Sequence, residues 1–224
     1  MTIHMQREID KLKQMVLSLG AEVENNVQKA VQALNERDPE LAELIIRSDG
    51  KIDKSEVQLE EECLKILALH QPVAVDLRFV VAVLKINSDL ERIGDLAVNI
   101  AERAIVICTK PPVNIPFDFK GMSEKTKFML KNSLDSLVNM DSKMARDVCA
   151  MDDEVDAINR DMYIQVQDGI RAEPDKLEEL IHYLSTSRHL ERIADHATNI
   201  AEDVIYMIAG EIVRHKAEDF TPAE

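Results

Sequence analysis

Residues 89–103 read DLERIGDLAVNIAER and residues 189–203 read HLERIADHATNIAED, so ten of fifteen positions are identical at an offset of 100. A weaker echo sets Asp38, Ala42, Asp49 and Asp53 against Asp141, Ala145, Asp152 and Asp156, 103 positions later. A chain of 224 residues that repeats itself at about half its length is expected to fold as two copies of one unit.

The spacing of apolar residues says what the unit is. Ile9, Leu12, Val16, Leu19, Val23, Val27, Ala30 and Leu34 recur in steps of three and four, the seam of a long helix. Leu41, Ile45, Ser48, Ile52, Leu59, Cys63 and Ile66 repeat the pattern, as do Val83, Ile86, Leu90, Ile93, Ala97, Ile100, Ala104 and Ile107. The prolines fall between these runs, and Asp38-Pro39 and Glu173-Pro174 read as N-caps followed by a first-turn proline. Six helices are predicted, near 5–36, 40–69, 76–109, 121–140, 141–170 and 175–215. The linker-like stretch KPPVNIPFDFKG, from Lys110 to Gly121, divides them three and three. The expected fold is all-α: two tandem three-helix bundles related by internal duplication, over residues 1–110 and 117–216. A single six-helix core is the competing layout. Five Phe, three Tyr, no Trp and six Gly argue against a sheet, which needs aromatic strands and glycine turns.

Charge narrows the partners. Asp and Glu number 42 against 27 Lys and Arg, a net charge of −15. Phosphate backbones and anionic lipid surfaces repel such a chain, so no nucleic acid and no membrane insertion are expected. The N-terminal MTIHMQREIDKLKQ lacks an apolar signal region, and Cys63, Cys108 and Cys149 stand at no metal or redox spacing. A reduced, cytoplasmic protein with buried, inert thiols is the expectation.

The identical positions of the repeat are not all apolar. Glu91, Asp95, Asn99 and Glu102 fall within roughly 80° of one another on a helical wheel, nearly opposite the apolar seam. Glu191, Asp195, Asn199 and Glu202 form the same stripe in the second copy. A solvated face with helical ion pairs would account for them. Yet like charges four residues apart repel unless a cation lies between, and carboxylates with an amide oxygen are what hard cations bind. An antiparallel register set by the turns puts Asp53 level with position 92 and Asp49 with position 96. In the second half it puts Asp152 level with Glu191 and Asp156 about one turn away. Where the copies differ, His196 replaces Leu96, either as a nitrogen ligand or as a solvated side chain.

The doubled LERIxDxAxNIAE element, with D-x-x-x-D on the preceding helix, resembles the PhoU family of phosphate-specific transport system accessory proteins. The resemblance spans the chain. It implies two three-helix bundles in a cytoplasmic protein, often a homodimer, that restrains phosphate uptake and the phosphate-starvation response. Such a protein is an adaptor between the ATPase subunit of the phosphate ABC transporter and a sensor histidine kinase. Some members bind multinuclear metal clusters of iron or zinc. The matching positions here are Asp49, Asp53, Glu91 and Asp95, then Asp152, Asp156, Glu191 and Asp195, continued by Asn99, Glu102, Asn199 and Glu202.

A di-iron enzyme would need Glu-x-x-His, but positions 94 and 194 are Gly and Ala. No phosphate-binding loop, zinc-protease or serine-hydrolase element occurs either. The chain is therefore expected not to be an enzyme. The alternative is a metal-dependent hydrolase or metal-storage bundle using the same stripes.

Overall fold

The computed structural model describes residues 3–113, 118–210 and 213, and among them the only regular structure is helical. The helices are α1 (Ile3–Glu36), α2 (Pro39–His70), α3 (Ala74–Cys108), α4 (Phe119–Asn139), α5 (Ser142–Ala172) and α6 (Leu177–Ala209). Asp38 caps α2 by accepting from the Leu41 amide, and Asp141 caps α5 by accepting from the Lys143 and Met144 amides. The Asp38–Asp141 echo is thus a pair of equivalent caps, and the Ala42–Ala145 echo a pair of fully buried small residues.

Two boundaries differ from expectation. Pro174 opens a three-residue 3-10 turn, Pro174–Lys176, and Glu173 makes no side-chain cap. Helix α6 ends at Ala209 rather than near 215, because Gly210 takes φ 73°, the left-handed conformation that closes helices.

Each trio packs about its own seam. The α1 and α3 residues read from periodicity are all buried, from Leu12 and Val27 to Ile86 and Ile107. Two tandem three-helix bundles result. Their cores are not separate, however: α3 packs on α6 and α1 on α4, so the buried apolar residues form one continuous cluster. Gly20 marks the α1–α4 contact, since a Cβ there would stand 2.9 Å from Leu134 Cδ2. Among the described residues, no helix is long and apolar enough to cross a membrane.

A glycine in the repeat shows how finely the two copies are fitted. A Cβ on Gly94 would lie 3.2 and 3.3 Å from Ile52 Cδ1 and Cγ2. The corresponding residues of the second bundle are Ala194 and Val155, so one methyl moves across the α2–α3 contact between copies. Ile52→Val alone is expected to cost about 1 kcal/mol through the cavity it leaves. In the Gly94→Ala background that loss should disappear, because the new methyl fills the gap. A double-mutant cycle by chemical denaturation checks this. Strictly additive effects would refute the volume exchange.

Candidate functional site

Two troughs of carboxylates run along the molecule, one between α2 and α3 and one between α5 and α6. In the first, Asp49 lies within electrostatic reach of Asp53 and Asp95. Glu91 lies within reach of Asp95, Glu56 and Asp53. This is the antiparallel register expected from the turn, with Asp49 set against Asp95 and Asp53 against Glu91. Burial and then these like charges hold the Asp49 and Glu91 carboxyls above their ordinary range, with Arg92 opposing weakly at Glu91.

The second trough is shifted by one turn from expectation. Asp152 faces Asp195 rather than Glu191, and Glu191 is felt by Asp195 and Asp156 before Asp152. The reason is local: α5 runs past its expected end to Ala172 and turns through Pro174–Lys176 before α6 begins. Burial, then Asp195, pushes the Asp152 carboxyl up to about 6, although Thr198 Oγ1 donates to its Oδ1 at 3.2 Å. Burial also raises Glu191 and Asp195, each with carboxylate neighbours adding to the shift.

The troughs therefore bring together Asp49, Asp53, Glu91 and Asp95, then Asp152, Asp156, Glu191 and Asp195. The four continuing residues are placed otherwise. Glu102 is exposed, Glu202 lies beside Cys149, and Asn99 is half-buried. Asn199 turns its amide nitrogen towards Asp89 of the other bundle, at 3.5 Å. Arg92 at Glu91, Arg160 at 3.6 Å from Asp156, and Arg188 and Arg192 beside the second trough offset part of this charge; carboxylates crowded in this way are the donor chemistry that a hard divalent cation takes. In their present positions, however, no three His, Cys, Asp or Glu side chains among the described residues stand close enough to share an ion. Binding one requires the side chains to turn inward across a trough.

The periodicity missed a second polar feature, the seam between α3 and α6. These helices run antiparallel, and Arg78 Nε donates to the Met207 carbonyl, Lys85 pairs with Asp203 at 3.1 Å, and Asp89 with His196 at 2.8 Å. His196 is thus neither solvated nor in an acidic trough. It is 8% exposed and tied to the first bundle through Nδ1. Three positions where the repeat copies disagree, 89/189, 96/196 and 103/203, all bear on this seam. That disagreement was the available signal.

Cys63 and Cys149 are buried, and burial pushes both thiols up to about 12; Cys108 is half-buried and raised by the same cause. All three are free and poorly nucleophilic.

With the geometry in place, comparison with known proteins is informative. The PhoU domain model matches twice, over residues 16–104 and 119–204. A phosphate-specific transport system accessory protein PhoU homolog from Aquifex aeolicus is 40% identical over 210 residues, covering 94% of this chain and 95% of that one. The protein of the same name from Clostridium acetobutylicum is 33% identical, covering 92% and 94%. The crystal structure of PhoU from Pseudomonas aeruginosa superposes with a TM-score of 0.88 at 33% identity, over 92% of this chain and 99% of that one. The phosphate transport system regulatory protein PhoU from Streptococcus pneumoniae gives 0.83 at 31% identity, over 93% and 99%. Two matches to one domain, each falling on one three-helix bundle, and relatives aligned over nearly their full length place this chain in the PhoU family.

Proposed function

We propose that this protein is a cytoplasmic accessory regulator of phosphate-specific transport that works by binding rather than by catalysis. The observation that carries this reading is the 40% identity to a phosphate transport accessory protein over 94% of the chain. The partners it calls for are the ATPase subunit of the phosphate ABC transporter and the sensor histidine kinase of the phosphate response. The protein would couple one to the other and restrain uptake and the starvation response when phosphate is plentiful. The acidic troughs support the reading: two clusters of carboxylates, one on each bundle, offer docking surfaces for basic patches. A homodimer would double those surfaces.

The troughs are also the proposed seat of a cation, iron or zinc among the candidates. Asp49, Asp53, Glu91 and Asp95 would hold one, and Asp152, Asp156, Glu191 and Asp195 another. The cation would add positive charge to the part that Arg92, Arg160, Arg188 and Arg192 already supply.

Deleting the gene is expected to raise alkaline phosphatase expression several-fold in phosphate-rich medium. Unchanged expression, in a strain with no second copy of this domain, would refute the regulatory role. Crosslinked affinity capture from phosphate-replete cells should recover the transporter ATPase or the kinase, and Glu91→Lys with Glu191→Lys should reduce that recovery. Metal analysis of protein purified without chelator or nickel tests the cation separately; metal content unchanged by Asp195→Asn would remove the second trough as its seat.

A further inference from the structure

The two troughs lead on to different surroundings. On α2 the stripe Asp49, Asp53, Glu56 and Glu60 stays acidic for about three turns, and Glu56 lies within electrostatic reach of Glu60 and Asp53. On α5 the equivalent stripe is Asp152, Asp156, Asn159 and Tyr163, so the carboxylates stop halfway. The facing helices carry matching apolar residues beyond the troughs: Leu77, Val81 and Leu84 on α3, and Leu177, Ile181 and Leu184 on α6. Ser88 of the first copy is Arg188 in the second.

Tyr163, Ile181 and Leu184 come together with Arg188 along an open groove of about 780 Å³ between α5 and α6. Its other end joins the second trough at Glu191 and Asp195. Tyr163 is 56% exposed, Ile181 49%, and Leu177, one turn before Ile181, 45%. A lone exposed apolar side chain needs no explanation. These, however, are neighbours, and the tyrosine stands where the first copy has an acid.

We propose that the α5–α6 groove docks an amphipathic helix of a partner protein, its apolar stripe on Tyr163, Ile181 and Leu184 and a flanking carboxylate on Arg188. The shape suits a helix. The groove runs between antiparallel helices, and from Ile181 to Asp195 it extends about 21 Å, or four turns, so the occupant would lie along it as a further member of the bundle. Charge sets the occupant's sign at the apolar end. Relative to the first copy, Glu56 and Glu60 have become neutral and Arg188 has been added. Lys85 has become Ser185, but Lys85 is held by Asp203 of the other bundle and offers the first groove little. A basic helix would find its carboxylates along the α2 stripe instead. The proposal rests on the adaptor reading and deepens it: two different partners need two different surfaces, and here the copies of one unit have diverged.

Fluorescence anisotropy of the full chain tests it, in EDTA at physiological ionic strength. The probe is a fluorescein-labelled synthetic helix with leucine at every third and fourth position and glutamate on its flanks. A second probe, measured separately, carries lysine in place of glutamate. Saturable binding of the glutamate probe is the expected result. Tyr163→Glu, which restores the residue type of the first copy, should weaken it about tenfold or more. Arg188→Ser should weaken it a few-fold, and Glu60→Gln should leave it unchanged. Both groove positions are exposed, and unaltered circular dichroism confirms that the variants fold. No saturable binding, or binding indifferent to Tyr163→Glu, would overturn the proposal. So would a lysine probe that loses as much affinity as the glutamate probe to Tyr163→Glu, or a dimer in sedimentation that Tyr163→Glu dissociates, which would give the groove to a second copy of this chain. The probe binds purified protein, so a failure here leaves the gene-deletion result standing, and unchanged phosphatase expression leaves the peptide result standing.

Discussion

Asp89→Ala is expected to destabilise the protein by about 3 kcal/mol, lowering Tm by roughly 6–12 °C for a chain of this size. Asp89 and His196 are each 8% exposed and their hydrogen bond spans 2.8 Å between the two bundles. Removing the carboxylate strands the His196 Nδ1 donor where water does not reach it, and Asn199 loses its acceptor as well. The cost is therefore mainly that of an orphaned buried group, not of a lost attraction. That distinction gives the sharper part of the expectation. Asp89→Ala combined with His196→Leu removes both partners, keeps a similar volume, and restores the residue type present at the equivalent position, Leu96. The double variant should recover most of the loss. Thermal or chemical unfolding of both variants decides it: a single variant with wild-type stability, or a double variant as unstable as the sum of its parts, would show that the pair does not join the bundles.

The helices themselves could be read from the chain because each buries one stripe, and a stripe leaves a period of three and four in the residues. The register of α2 on α3 was equally readable, since a short turn through Pro72 fixes which residues lie level. It slipped by a turn between α5 and α6, where α5 continues to Ala172 and a 3-10 turn precedes α6. The α3–α6 seam was out of reach of periodicity, because no short connection sets the register of two helices 100 residues apart. Yet the repeat carried a trace of it. Packing holds Leu90, Ile93 and Ile100 equal to their copies, whereas a seam between near-identical helices is free to diverge into complementary pairs. Asp89 against His196 and Lys85 against Asp203 are such pairs, and His189, Arg103 and Ser185 are what remains on the side without acids. The continuous core follows from the same seam: once α3 and α6 share a buried interface, two bundles and one core describe the same packing.

Asp152→Asn is expected to stabilise the metal-free protein at pH 7.5 and to make no difference well below pH 3.8. Burial and Asp195 raise the Asp152 carboxyl to about 6, from an ordinary value of 3.8. A carboxyl whose folded pKa lies above its unfolded value binds its proton more tightly in the native state. Its favourable contribution is complete below pH 3.8 and declines as pH rises towards 6. Above that, the folded chain carries the charge at a constant disadvantage. A rise of about two units corresponds to roughly 2.7 kcal/mol, and partial exposure of the side chain reduces this to about 1–2 kcal/mol. Asparagine keeps the acceptor for Thr198 Oγ1 and removes the charge, so denaturation curves of variant and wild type should separate by about that amount above pH 6 and converge in acid. A variant less stable than wild type at pH 7.5 in EDTA would mean that the Asp152 charge is attracted, not repelled, by its surroundings. Adding the cation supplies the complementary experiment. If the α5–α6 trough is its seat, wild-type Tm rises with metal and the variant's does not, so the order of stability reverses; a trough that binds nothing leaves the variant ahead at every metal concentration.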